Sequence, residues 1–177
     1  MQQLVNFVKK YVSESVGGPL NIFGYSMGGY AALALAAEYN VNKVITLGTK
    51  LAWNEVTAEK EIRMLDPAVI REKVPAFANS LEKQHGDDWT ELVSNTATMM
   101  SELGMHPLLN KNTYAKIGAK VLLMHGSEDK MVSWEETQNA AKEIPDAFAV
   151  SLTGVPHALE KADPLLLAEK IFEFCRH

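Results

Sequence analysis

Cysteine is almost absent from this 177-residue chain: Cys175 stands alone, so no internal disulfide can form, and a single thiol provides no metal-ligand spacing. Basic residues are also outnumbered. Seventeen Lys and Arg against twenty-two Asp and Glu give a net charge of -5, which excludes the basic footprint that grips a phosphate backbone. No apolar run reaches the length of a membrane span, and MQQLVNFVKKYV mixes polar and apolar residues where a signal peptide would carry an apolar core. A cytoplasmic protein without nucleic-acid or membrane partners is expected. What remains, 47% hydrophobic and 22% charged residues, is ordinary for one soluble domain with a sizeable core.

The order of elements follows from periodicity. Leu4, Val8, Tyr11 and Val12 recur at helical spacing, and Gly17-Gly18-Pro19 breaks the pattern. Leu20 to Phe23 is a short apolar run that feeds directly into the Ala-rich stretch from Met27 to Tyr39, a strand followed at once by a helix. Lys43 to Gly48 and Lys120 to His125 are further β-branched or apolar strands, and Ala147 to Leu152 is a fourth. Ser133 with Glu136 forms a capping box, and Asp163-Pro164 opens a final helix. Strands alternating with helices predict an α/β fold with a mostly parallel sheet of about four strands.

Between residues 54 and 116 the texture changes. No β-branched run occurs there, and Asp66-Pro67, Val74-Pro75, Gly86, Gly104 and His106-Pro107 punctuate helix-length segments. This region is expected to be a helical insertion between core parts 1–53 and 117–177. It holds Met64, Met99, Met100 and Met105, side chains adaptable enough for an apolar binding surface, although most are expected to pack. Met99 and Met100 are the candidate substrate contacts.

Gly24-Tyr25-Ser26-Met27-Gly28 matches G-x-S-x-G, in which a sharp strand-to-helix turn lifts a serine oxygen above the sheet and glycines remove clashing side chains. The strand and helix stand where the motif requires them. A nucleotide loop fails, because no G-x-G-x-x-G or G-x-x-x-x-G-K-[ST] pattern runs through these glycines. Tyr25 either lines a pocket or packs beneath the insertion.

A serine hydroxyl needs a base and a carboxylate that orients it. Of the five histidines, His85 and His106 fall in the insertion, His125 ends a strand and His177 is terminal, which leaves His157 in the turn-rich loop after the fourth strand. That is where open α/β sheets place reactive groups. Asp129 follows the third strand and precedes the histidine, with Glu128 its near rival. The other aspartates read as caps and turn residues.

Together GYSMGG, HGSEDKMV and GVPHALEK, in this order around a helical segment, resemble the α/β-hydrolase family. The resemblance spans the whole chain. It implies acyl transfer to water: Ser26 attacks a small apolar ester or thioester, His157 moves the proton, Asp129 stabilises the imidazolium, and the Met27 N–H is one oxyanion donor. No metal, nucleotide or flavin cofactor is implied.

Family members carry strands before the elbow strand, and one loop among them supplies a second oxyanion donor; neither can be found in this sequence. Three expectations follow: a shortened coding sequence or fragment, a homodimer that covers the open edge at Leu20 to Phe23, or a non-catalytic binding protein on a hydrolase scaffold.

Overall fold

Each of the four apolar runs becomes a strand in the computed structural model, which describes residues 1–15 and 18–176. Gly17 of the expected turn and the terminal His177 lie outside the described residues. The chain divides into two units, Met1–Leu51 with Leu108–His177, and Ala52–Pro107.

In the first unit, β1 (Asn21–Tyr25), β2 (Lys43–Leu47), β3 (Lys120–Gly126) and β4 (Ala147–Leu152) pair in that order. All three pairings are parallel, with Phe23 beside Ile45, Ile45 beside Leu122 and Leu122 beside Phe148. Burial follows position in the sheet. All of β2 and nearly all of β3 are buried, as a strand covered on both faces requires, whereas β1 and β4 are partly open edges. The first strand begins one residue later than its apolar run and continues through the elbow's Tyr25. Its outer edge has no partner strand among the described residues.

The helix α1 (Gln2–Ser15) packs on α2 (Met27–Ala36), which lies against β1 and β2. The buried stripe of α1 differs from the expected one. Val5 and Val12 are buried while Tyr11 is 62% exposed, because the helix turns its 5-and-12 line inward and carries Tyr11 to the open side. The apolar, Ala-rich α2 is buried along almost its whole length. After Leu108 come α7 (Lys111–Tyr114), α8 (Trp134–Glu143), which packs on β3 and β4, and α9 (Pro164–Arg176). The Ser133–Glu136 capping box opens α8, and Asp163 caps α9 through the Leu165 N–H. The Lys43 amine donates to the Phe174 and Cys175 carbonyls at the end of α9, satisfying acceptors that a helix terminus leaves free.

Helices alone make up the second unit. Asn54 and Thr57 cap α3 (Glu55–Ile62) reciprocally, while Asp66 and Pro67 start α4 (Pro67–Lys73), Pro75 starts α5 (Pro75–His85), and α6 runs from Trp89 to Met105. Ile70, Ala78, Trp89 and Val93 form its core, with the Arg71 guanidinium 5.0 Å over the Trp89 ring. Met64, Met105 and Phe77 are more than half exposed, contrary to the packing expected of the apolar residues there.

Because every strand of the sheet is parallel, the chain leaves β1, β2, β3 and β4 at the same end. Ser26, Gly48, Asp129 and His157 all follow those exits.

Candidate active site

Ser26 is the only residue between β1 and α2, and it makes that turn at φ 50°, ψ -118°. It is the single non-glycine with positive φ among the described residues. Such a conformation costs on the order of 1 to 3 kcal/mol and persists only where its surroundings impose it. Here the backbone imposes it: the Ser26 N–H donates to Leu47 O at 2.9 Å, and the Ser26 carbonyl accepts from the N–H groups of Gly29 and Tyr30. The hydroxyl makes no capping bond to α2 and is left free for other chemistry.

Close packing explains the first glycine of the motif and Gly29 just beyond it, but not Gly28. A Cβ on Gly24 would lie 2.6 Å from the Gly28 carbonyl oxygen and the Gly29 Cα, and one on Gly29 would overlap the Thr49 hydroxyl. Gly28 faces open space. Thus Gly24 and Gly29 keep the turn tight, and the expectation that both motif glycines prevent a clash holds only for the first.

His157 Nε2 lies 3.3 Å from Ser26 Oγ, and His157 Nδ1 lies 2.7 Å from Asp129 Oδ2. With a carboxylate at Nδ1 the proton sits there, which turns the Nε2 lone pair toward the serine. The Asp129 side chain is 1% exposed, so its charge needs internal partners. Its other oxygen, Oδ1, accepts from the Met131 and Val132 N–H groups at 2.8 and 3.0 Å. Glu128 is exposed and contributes only its backbone N–H, to Val155 O.

The two loops are stitched to one another. Ser127 N–H donates to Leu152 O, Glu128 N–H to Val155 O, and Gly154 N–H to Ser127 Oγ at 2.8 Å. A buried His125 holds the far end of the acid loop: its Nε2 lies 3.1 Å from Val132 O, and its ring packs on Trp134. Gly48, at φ 59°, passes directly beneath the Asp129–His157 hydrogen bond. A Cβ there would meet Asp129 Oδ2 at 3.1 Å and His157 Nδ1 at 3.3 Å. Sequence reading takes Gly48 only as a strand end, since its neighbours are far away in the chain.

The Tyr25 hydroxyl donates to the His157 carbonyl at 2.7 Å, and its ring lies 5.5 Å from the imidazole. Burial raises this phenol above its ordinary value, opposed by a backbone bond at Leu159. The Met27 N–H, first in α2, has no acceptor among the described residues and is available as an anion donor. A cavity of about 660 Å³ adjoins His157 and Asp129, with Met131, Pro156 and Ala158 on its apolar side and Glu128 and Lys130 among its polar residues. Met99 and Met100 lie half-buried on α6 in the second unit, as His85 and His106 lie on or beside its helices.

A parallel sheet with a strained serine turn and a Ser–His–Asp chain at its strand exits defines an α/β hydrolase. The chain belongs to that family: residues 1–161 match the family described as serine aminopeptidase, S33. Among solved structures, it is similar to a carboxylesterase structure from the ammonia-oxidizing thaumarchaeon Nitrososphaera gargenis, with 20% identity, a TM-score of 0.73, and coverage of 99% of this chain and 71% of that one. An esterase from Exiguobacterium antarcticum is 16% identical with a TM-score of 0.70 over 98% of this chain and 72% of that one. A bromoperoxidase from Bacillus anthracis is 17% identical with a TM-score of 0.67 over 98% and 73%. At these identities the likeness is one of fold. No curated protein matches the chain.

Proposed function

We infer that the protein is a serine hydrolase that cleaves a small carboxylic ester or thioester. The observation that carries this reading is the continuous chain Ser26 Oγ, His157 Nε2, His157 Nδ1, Asp129 Oδ2, with spacings of 3.3 and 2.7 Å. A positively charged imidazole formed at His157 is stabilised by the Asp129 carboxylate, whose other oxygen is held by the Met131 and Val132 N–H groups.

In the first half-reaction, Ser26 Oγ bonds to the substrate carbonyl carbon while His157 Nε2 takes the hydroxyl proton. The carbonyl oxygen becomes an anion, and the Met27 N–H is the donor this chain offers it. Collapse breaks the bond to the leaving alcohol or thiol, which departs with the proton from Nε2. Water then repeats the sequence on the acyl-serine and releases the carboxylic acid. Met131, Pro156 and Ala158 give the open cavity beside His157 an apolar side, although Ser26 is not among its lining residues.

Hydrolysis of short p-nitrophenyl esters and of the matching thioesters, by the wild type and by Ser26→Ala, tests the reading. Release should vanish in the variant, and a fluorophosphonate should label Ser26, as located by mass spectrometry. Equal rates in the two proteins would show that the serine is not the nucleophile.

A further inference from the structure

Of the backbone groups of Pro156 and His157, only the His157 carbonyl is hydrogen-bonded among the described residues, and Tyr25 is its donor. The neighbouring anchors lie on either side: Val155 O accepts from Glu128 N–H, and Ala158 O accepts from Lys161 N–H. Between them the chain is neither strand nor helix and carries the base. Without the Tyr25 bond as a tether, the main chain of this span is held only at its two ends, and His157 is held between them only through its side-chain contacts with Asp129 and Ser26.

Tyr25 supplies that tether from a particular place. It is the last residue of β1 and is covalently joined to Ser26, so the residue that ends at the nucleophile also grips the main chain of the base. Its ring packs against the core cluster that includes Leu47, Leu152 and Val155. A phenol has one proton to donate, and this one is directed to His157 O, so it is not spare for an oxyanion. Because burial raises the phenol's titration, the donor persists through neutral and mildly alkaline pH.

We propose that Tyr25 is a positioning residue of the hydrolase, setting the spacing of His157 Nε2 from Ser26 Oγ by holding the His157 carbonyl against the end of β1. The proposal rests on the serine-hydrolase reading above. It assigns Tyr25 to neither of the roles open to it from sequence, pocket lining or packing beneath the insertion.

Tyr25→Phe keeps the ring and removes the bond. With p-nitrophenyl acetate, kcat should fall about tenfold with KM held within twofold, the size expected for one lost hydrogen bond that acts on the chemical step. In a His157→Ala background the same substitution should change the residual rate by less than about twofold, because a residue acting through the base has nothing left to position. A packing role predicts something different: Tyr25→Phe like the wild type, and only Tyr25→Leu impaired. That result, or an equal tenfold loss in the His157→Ala background, overturns the proposal.

A second readout is independent of turnover. The low-field proton resonance of His157 Nδ1–H should be sharp in the wild type and broadened by water exchange in Tyr25→Phe; an unchanged line overturns the tether. If that line responds to Tyr25→Phe while the wild type shows no Ser26-dependent hydrolysis, the functional reading fails and the positioning role stands.

Discussion

The nucleophile's side of the site and the acid–base side are held by opposite means. Ser26 is fixed by shape: contiguous residues from Gly24 to Tyr30, backbone bonds to Leu47, Gly29 and Tyr30, and no space where a Cβ would go at Gly24 or Gly29. His157 and Asp129 are fixed by polar contacts between loops that follow different strands, 28 residues apart in the chain. A packed turn tolerates no added atom at Gly24 or Gly29 but needs no particular polar group. A stitched pair of loops depends instead on which donors and acceptors it keeps.

The largest effect should come from changing one atom on the stitched side. Asp129→Asn removes the charge facing Nδ1 and permits the wrong tautomer, so kcat should fall by about three to four orders of magnitude while Glu128→Gln stays within about twofold. Ester hydrolysis by the two variants measures this directly, and a greater loss from Glu128→Gln would transfer the acid's role to that residue. Gly48→Ala comes next, because it acts where the two sides meet. Alanine at φ 59° costs about 1 to 2 kcal/mol, and its methyl would press on both Asp129 and His157, so a roughly hundredfold fall in kcat is expected from the displaced pair. Retention of full activity would mean that the loops can yield without cost, contrary to the close fit seen.

The two sides also differed in how legible they were in the sequence. Ser26 could be read locally, since a five-residue pattern between an apolar run and an Ala-rich stretch describes both the turn and its setting. The central strands were equally plain, because burial on both faces writes itself as continuous Val, Ile and Leu. Asp129 and His157 were reachable only by their positions after β3 and β4, with Glu128 left as a rival until the hydrogen bond separated them. Gly48 and the Tyr25 hydroxyl could not be found this way, as each matters through a contact with residues about a hundred positions distant. On α1 the spacing of Leu4, Val8, Tyr11 and Val12 identifies a helix but not its buried line, since Val5 and Val12 are buried and Tyr11 is exposed where the helix packs on α2.

On the packed side the cost should appear in stability. Gly29→Ala forces a methyl onto the buried Thr49 hydroxyl and should destabilise the fold by about 1 to 3 kcal/mol, read from denaturant midpoints. Gly28→Ala, one residue earlier in the same helix, meets open space and should stabilise by roughly 0.5 to 1 kcal/mol, the ordinary gain of alanine over glycine in a helix. Opposite signs at adjacent glycines would show that steric fit, rather than glycine's freedom, holds the elbow. Equal effects would remove that distinction.

The smallest effect is expected from Ser127→Ala, which deletes the acceptor of the Gly154 N–H. Both residues are exposed, so water can take the hydroxyl's place, and the bonds from Ser127 N–H to Leu152 O and from Glu128 N–H to Val155 O survive the change. Loss of kcat should therefore stay below about threefold, in line with one solvent-replaceable hydrogen bond. The interest of this variant lies in its failure. A loss approaching that of Asp129→Asn would mean that the loops hang on one stitch, and the acid–base side would then be as intolerant of a single fault as the glycine-packed turn beneath Ser26.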